Sequence, residues 1–340
     1  MCGQSASAFG NGTEVFELPF LKVRNIGFDY FSSVMGLAGR GLVWRSAAQY
    51  LDGPLPVGEG ILGLALLVFI ALISIQIVRA IFTPWELAAE WNDLARRNFF
   101  CTATIASALL SLGLLTYNRY AAEALWGLGV SAQLIFLVFM IRHWFIEKVD
   151  HSELSPAWLI PMVGNASPSF AGVSLGYGPV CKVLLATSIF CWAAFMPLIL
   201  YRIIFVNPKI PDRSMPGLAI LVSAPAVLSV SIYSFTQSAN DVVQILSWTS
   251  LFFAVVILSL GKRLIAAPFS RSWWAFTFPS TALASSLIRV YDSIPNQFNH
   301  YLAVIALYSC SVIAVYVASA ALLVGLNSIR SQACLAKEKL

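Results

Sequence analysis

Ten runs of about twenty apolar residues constrain the fold of this 340-residue chain more than any other feature. A helix of that length spans the hydrocarbon core of a bilayer, and it satisfies its backbone hydrogen bonds internally, as lipid requires. Charged residues make up only 11% of the chain, whereas a soluble domain carries about 25%. The runs predict ten transmembrane helices over residues 27–48, 58–82, 98–117, 120–144, 156–177, 180–205, 214–235, 241–265, 271–292 and 298–326.

The basic residues alternate between the two sides of the predicted bilayer. Sixteen of the 21 Lys and Arg residues fall in the tails and in every second connection. The opposite side has only Arg45, Arg119, Lys182 and Arg289, and Arg40 lies within the first span. Because cytoplasmic segments carry the excess of Lys and Arg, both termini are expected to be cytoplasmic. The predicted organisation is a tail over residues 1–26, a membrane domain over 27–326 and a tail over 327–340.

The odd-numbered spans repeat along the sequence. After the first, they begin about 58 residues apart, which indicates five helical hairpins. Odd spans carry Gly, Ser and Pro, whereas even spans are mostly smooth aliphatic runs. The kinks are expected at Pro161, Pro168, Pro225 and Pro279. Small residues permit close packing and Pro bends a helix, so we expect an inner ring of five odd helices and an outer ring of five even ones. The alternative is ordinary helix packing without a central pathway.

Motifs for catalysis or metal binding are missing from the sequence. There is no P-loop, no H-E-x-x-H and no G-x-S-x-G, and the six cysteines show no C-x-x-C spacing. We therefore expect no enzyme, no cofactor and no metal. The formal net charge of +5 comes from the connections between apolar runs, so nucleic acid is not an expected partner.

Acidic residues avoid the middle of every predicted span. The acidic residues at span ends or in connections include Asp29, Asp52, Glu59, Glu123, Asp241 and Asp292. Proton-coupled carriers commonly use carboxylates inside the membrane as relays, and cation pores use acidic rings. The sequence favours small anions, such as chloride, nitrate or an organic anion, as the transported species.

Five stretches of the chain resemble one known family. They are YFSSVMGLAGRGLVWR (30–45), RRNFFCTATIASALL (96–110), LSPAWLIPMVGNASPSFAG (154–172), LAILVSAPAVLSV (218–230) and PFSRSWWAFTFPSTALASSLIR (268–289). They resemble the odd helices of the TehA-like tellurite-resistance/C4-dicarboxylate transporter (TDT) family, which includes the slow-type anion channels of plant guard cells. The resemblance implies a quasi-fivefold ring of hairpins, a pore through each protomer and a homotrimer. It also implies a ninth-helix phenylalanine as gate, which maps to Phe278, with Phe276 as the fallback.

Arg40 departs from the resemblance, because family members tend to be apolar there. It lies about 16 Å along the helix from Asp29, at 1.5 Å per residue, and thus well inside the bilayer. A charge at that depth is costly and usually faces a cavity or a partner. One interpretation is an anion-attracting residue of the pore, and the other is an arginine that snorkels or bonds to carbonyls. Met35, Phe99 and Asn165 are further candidates for the pore lining, with packing as the alternative for each.

The sequence leaves three functions open. The first is a passive anion channel gated by Phe278. The second is a coupled carrier or exporter of a C4-dicarboxylate, sulfite or tellurite-type anion, and the third is a structural or receptor-like membrane protein. We expect the protein in a bacterial inner (plasma) membrane.

Overall fold

The computed structural model describes residues 26–266 and 268–337, and these residues form helices without any strand. Most of the predicted N-terminal tail lies outside the described residues. The α helices are α1 (Phe31–Tyr50), α2 (Leu55–Phe82), α3 (Pro84–Asn92), α4 (Leu94–Arg97), α5 (Phe100–Leu114), α6 (Arg119–Ile146), α7 (Leu159–Val163), α8 (Ser167–Leu175), α9 (Gly178–Phe205), α10 (Ile220–Thr236), α11 (Asp241–Ser259), α12 (Gly261–Ala266), α13 (Thr277–Ser293) and α14 (Gln297–Lys337). The predicted all-helical class is confirmed.

Short 3-10 segments precede or join several helices. They cover Phe28–Tyr30, His151–Glu153, Pro156–Trp158, Gly164–Ala166, Asp212–Ala219 and Arg271–Phe276. The fifth predicted span is therefore two short helices, α7 and α8, around a 3-10 turn. Pro161 lies inside α7, and Pro168 is the second residue of α8. Proline lacks the N–H that would bond one turn back, so this stretch does not form one continuous α helix.

Seven helical segments of the described chain are long and apolar enough to cross a membrane. They are Leu55–Phe82, Leu94–Leu114, Arg119–Ile146, Gly178–Phe205, Asp212–Thr236, Asp241–Ser259 and Gln297–Gly325. The other three predicted spans coincide with shorter or more polar helices. α1 contains Arg40 and Arg45, the α7–α8 stretch is broken, and α13 has 17 residues.

Burial separates the seven segments into two groups. Within its most apolar stretch, Leu94–Leu114 is 67% buried and Asp212–Thr236 is 83% buried. The other five are only 28–39% buried, so most of their apolar surface faces outward. An apolar surface of that extent is compatible with lipid and not with water. The protein is therefore an integral membrane protein whose third and seventh predicted spans lie inside the helix bundle.

Neighbouring helices pack as hairpins and also across hairpins. α1 packs with α2, α5 with α6, α8 with α9, α10 with α11, and α13 with α14. Between hairpins, α1 contacts both α5 and α13, α5 contacts α8, α8 contacts α10, and α10 contacts α13.

Glycines set the closest of these approaches. A Cβ atom on Gly39 of α1 would lie 2.6 Å from Oγ1 of Thr281 on α13, and Gly36 meets Thr277 of the same helix even more closely. On another face of α1, a Cβ on Gly41 would lie 2.6 Å from Cγ of Leu62. Because only glycine leaves room at these distances, the α1–α13 seam depends on small residues, as in many membrane helix pairs.

The connection between α2 and α5 is anchored by a buried ion pair. Nη2 of Arg79 lies 2.8 Å from Oε1 of Glu90, with both side chains at most 5% exposed. Arg79 also donates to Gln76 and to the backbone oxygen of Ile26, and Arg96 adds a second ion pair to Glu90. These contacts hold the short helices α3 and α4 against the end of α2.

Candidate functional site

A narrow cavity of about 50 Å³ lies among the N-terminal parts of five helical stretches. Its walls come from α1, α5, the α7–α8 stretch, α10 and α13 with the segments just before them, and they are mainly apolar. The lining residues are Ser32, Met35, Phe99, Thr102, Ile105, Leu159, Ile160, Val163, Gly164, Ser167, Ile220, Ser223, Ala224, Val227, Trp274, Ala275, Phe278 and Pro279. The cavity thus lies inside the group of odd helices.

A wider cavity of about 410 Å³ lies among the C-terminal parts of the same helices. It is more polar than the narrow cavity. Its lining residues are Gly39, Leu42, Val43, Arg45, Ser46, Gln49, Tyr50, Leu109, Leu112, Leu115, Thr116, Phe170, Ser174, Val227, Val230, Tyr233, Ser234, Gln237, Phe278, Thr281, Ala282, Ser285 and Arg289. The two cavities follow one another along the helix axes.

Phe278 borders both cavities. Val227 is the other residue that lines the two. Phe278 is the second residue of α13 and directly precedes Pro279, and its side chain is partly exposed. It packs against two of the buried apolar clusters, one centred on α10 and one on α1 and α5. The ring therefore stands between the narrow and the wide cavity.

Among the described residues, the charged side chains that line the two cavities are all positive, and all of them belong to the wide cavity. No Asp or Glu is among the lining residues, and Arg45 and Arg289 are the charged ones. Arg45 forms an ion pair with Glu59 of α2 at 2.7 Å, and the Tyr117 hydroxyl donates to the same carboxylate. The charge of Arg45 is thus compensated locally. A lining that contains Arg289 and no carboxylate favours anions over cations electrostatically.

Hydroxyl groups are the main polar feature of the narrow cavity. Thr102 donates to the backbone oxygens of Phe28 and Phe99, and Ser223 donates to that of Ile220. The Ser167 hydroxyl is buried and has no hydrogen-bond partner among the described residues. A hydroxyl without a protein partner has its proton available for donation to an anion.

Comparison with known proteins assigns the family. A family model described as SLAC1, voltage-dependent anion channel, matches residues 25–322. The chain belongs to the SLAC1 family. The matched range contains all five helical stretches that line the two cavities, and the resemblance to the TehA-like (TDT) family is confirmed.

Relatives of the SLAC1 family align over most of this chain at low identity. The S-type anion channel SLAH2 of Arabidopsis thaliana is 22% identical over 81% of this chain and 54% of its own length. The guard cell S-type anion channel SLAC1 of the same plant is 22% identical over 84% of this chain and 53% of its own length. An uncharacterized transporter of Methanocaldococcus jannaschii is 23% identical over 79% of this chain and 86% of its own length. The chain spans about half the length of the plant relatives and most of the archaeal one.

Some of the other predicted pore residues line the narrow cavity, and others do not. Met35, Phe99 and Pro279 line the narrow cavity together with Phe278. The fallback Phe276 lies outside the lining of both cavities, and its ring packs 5.7 Å from that of Trp273. Pro225 lies inside α10 next to the lining residue Ala224.

Asn165 lies behind the wall rather than on it. It is completely buried in the 3-10 turn between α7 and α8 and lines neither cavity. Its amide donates to the backbone oxygens of Pro161 and Met162 at 3.1 and 3.2 Å. The Pro161 oxygen also accepts a hydrogen bond from Gln133 of α6. These bonds satisfy backbone oxygens where the helix is broken. The position of Asn165 therefore fits a role in packing and not in the cavity lining.

Arg40 also lies outside the lining of both cavities. Its guanidinium is partly buried, and its Nε atom has no hydrogen-bond partner among the described residues. Trp44, one turn further along α1, donates a hydrogen bond to Ser311 of α14 at 3.0 Å, so this face of α1 packs toward α14. α1 therefore presents its glycines to α13 while Arg40 faces toward α14. This placement does not support the pore interpretation of Arg40.

Two residues of the cavities escaped the sequence reasoning. Ser167 had only its position before Pro168 as a signal. Arg289 stood out in the sequence only as one of the few basic residues on the side opposite the termini. Spacing within α13 was the available clue, because residues 278, 282, 285 and 289 share one helix face.

Proposed function

We propose that this protein is an anion channel that passes small inorganic anions, such as chloride or nitrate, through a pore in each protomer. The observation that carries the proposal is the position of Phe278 between two cavities that lie in series. The path from the narrow cavity past this ring to the wide cavity contains no carboxylate among the described residues. The chain's membership of an anion-channel family supports the same conclusion.

A ring of five inner helices is part of the proposal. The contacts α1–α5, α5–α8, α8–α10, α10–α13 and α13–α1, taken in order, make a closed cycle. Each of these helices contributes residues to both cavities, counting α7 and α8 as one broken helix. The five partner helices α2, α6, α9, α11 and α14 would form the outer ring, which their low burial supports.

The gate would act by excluding water. An apolar ring in a constriction makes it unfavourable for water to fill the gap. An ion that enters the dry gap would have to give up part of its hydration shell, and this cost blocks its passage. The neighbouring wall at Val227 is also apolar, so neither side offers hydrogen bonds at that level. Displacement of the ring would join the two cavities into one wet path.

Voltage-clamp recording of wild type and Phe278→Ala tests the proposal. We expect a larger basal chloride and nitrate current for Phe278→Ala at equal surface expression. Phe276→Ala is the matched control, because it removes the same ring from a residue that lines neither cavity. If Phe278→Ala conducts no more than wild type, or if Phe276→Ala conducts as much, the gate assignment is wrong.

The second candidate is a coupled carrier or exporter of a C4-dicarboxylate, sulfite or tellurite-type anion. The archaeal relative, described as a transporter, aligns over 86% of its length and favours this alternative. A liposome flux assay separates the two functions. A channel dissipates a chloride gradient rapidly and independently of the proton gradient, whereas the flux through a coupled carrier follows the proton gradient. Absence of any flux would leave a structural or receptor-like role.

The assembly and orientation complete the proposal. We expect a homotrimer in a bacterial plasma membrane with both termini cytoplasmic, and a membrane domain that covers residues 27–326. The charge asymmetry of the connections supports the orientation. The mass of the detergent-solubilised protein tests the trimer, and reporter fusions at each terminus test the orientation.

A further inference from the structure

We propose that Arg289, with the hydroxyl groups of Tyr50 and Ser46, forms a binding site in the wide cavity that captures a small anion before it reaches Phe278. The inference rests on the proposed function, since it assigns a step to the same path. The site is built by α1, α10 and α13, and it takes a halide or nitrate.

The guanidinium group of Arg289 is held in a fixed position. It stacks on the rings of Tyr50 and Tyr233, with 5.1 Å from Cζ to each ring centroid. Nη1 donates to the Tyr50 hydroxyl at 2.9 Å, and Nη2 donates to the Ser46 hydroxyl at 3.5 Å. These contacts preorganise a planar cation at the wall of the wide cavity. A fixed guanidinium loses little freedom when it binds a ligand.

The same hydrogen bonds turn two hydroxyl groups into donors. Tyr50 and Ser46 each accept a hydrogen bond from Arg289, and neither donates to another group among the described residues. Their own protons remain available, and both residues line the wide cavity. An anion beside Arg289 therefore meets guanidinium N–H groups and two O–H donors, which are the groups that bind anions best.

Arg289 has no carboxylate within ion-pair distance among the described residues. None of the ion pairs within the described residues includes Arg289. Asp292, one turn further along α13, accepts a hydrogen bond from the Tyr233 hydroxyl and does not line the cavity. The other arginine of the cavity, Arg45, differs because Glu59 neutralises it at 2.7 Å. Arg289 is thus the unpaired cation of the wide cavity among these residues.

The position of Arg289 suits a capture site. It lies on the same face of α13 as Phe278, Ala282 and Ser285, all of which line the wide cavity. Eleven residues separate Arg289 from Phe278, or about 16 Å along the helix. An anion released from Arg289 moves past Ser285 along this face toward the ring.

Flux measurements on the Phe278→Ala background test the capture step. We expect Arg289→Gln to raise the half-saturating chloride concentration roughly tenfold, as the loss of a hydrogen bond to a charged group would. Arg289→Lys keeps the charge without the planar fork, so it should give a smaller increase. Lys182→Gln is the matched control, because it removes an exposed charge from the same predicted side. An unchanged half-saturating concentration for Arg289→Gln, or an equal increase for Lys182→Gln, overturns the inference.

A second measurement works on wild-type protein and needs no flux. Crystals of the full chain soaked in bromide should show an anomalous peak in hydrogen-bond contact with Arg289 and the Tyr50 hydroxyl. Bromide at this position without chloride flux in Phe278→Ala would retain the site and reject the channel. Flux with no bromide peak and no change in half-saturation would retain the channel and reject the site. If Arg289 only stabilises the fold, no bromide peak should appear, the half-saturating concentration should stay unchanged, and Arg289→Gln should lower the thermal stability.

Discussion

Replacing Phe278 with alanine removes the ring that the narrow and wide cavities share. The side chain is partly exposed and has an apolar cluster on each side, so it is less enclosed than a core phenylalanine. A fully buried Phe→Ala change costs about 3–5 kcal/mol, and we expect about 1–2 kcal/mol at this position. The variant should fold and reach the membrane.

The effect on conduction should be much larger than the effect on folding. The ring occupies the space of several water molecules, each of which takes about 30 Å³ in the liquid. With water in the gap, an anion keeps more of its hydration shell, whose loss costs several kcal/mol per ion. If about 3 kcal/mol of that cost disappears, the rate rises roughly 100-fold.

Bilayer recordings of purified wild type, Phe278→Ala and Phe276→Ala measure this difference at a fixed protein density. Phe278→Leu adds a graded case, because it keeps an apolar side chain but is smaller, and it should conduct between wild type and Phe278→Ala. A Phe278→Ala current within twofold of wild type, with intact protein in the bilayer, would refute the argument that this ring closes the path.

Three further changes have defined outcomes. Gly39→Leu places a side chain where a Cβ alone would lie 2.6 Å from Thr281, so we expect about 2–3 kcal/mol of destabilisation, measured as a lower Tm in detergent. Glu90→Gln leaves the 2%-exposed Arg79 without its carboxylate, and breaking such a buried pair costs about 3–5 kcal/mol in the same assay. Glu59→Gln removes the carboxylate that neutralises the second arginine of the wide cavity, so the half-saturating chloride concentration should fall.

These experiments have simple controls. Glu147→Gln changes an exposed carboxylate near the end of α6 and should leave the Tm unchanged. A Tm for Glu90→Gln equal to that of Glu147→Gln would show that the ion pair contributes little. A Cβ atom on Gly63 of α2 would have no neighbour within 4 Å, so Gly63→Leu should be tolerated where Gly39→Leu is not.

The helical class and the position of the cavity residue Phe278 were accessible from the sequence. The thickness of the bilayer dictates the length of an apolar run, and these runs predicted the ends of most helices to within a few residues. The span predicted over 120–144, for example, is the helix Arg119–Ile146. The string around Phe278 carried a family resemblance specific enough to select one ring out of 23 phenylalanines. Both signals are local, so no knowledge of packing was needed to use them.

The sequence did not predict how each helix is rotated about its own axis within the bundle. Arg40 and Arg289 are both basic residues in or near odd spans, and the sequence drew attention to Arg40. Which one enters a cavity depends on how each helix is rotated against its neighbours. The glycines of α1 fix that rotation by packing on α13, and the face of α1 with Arg40 and Trp44 then lies toward α14. The aromatic clamp on Arg289 joins three helices that are far apart in sequence.

The seam between α1 and α13 limits how the protein can move. Gly36 and Gly39 bring the two backbones as close as threonine side chains allow, beside the ring of Phe278. Helices locked this tightly cannot slide or separate by small steps, because interiors without voids transmit strain rather than absorb it. Under the proposed gating by Phe278, permeation in such a frame would be switched by the torsion angles of that one side chain. A rotamer displacement of that kind costs about 0.5–1.5 kcal/mol, within reach of a weak signal from voltage or from a bound regulator.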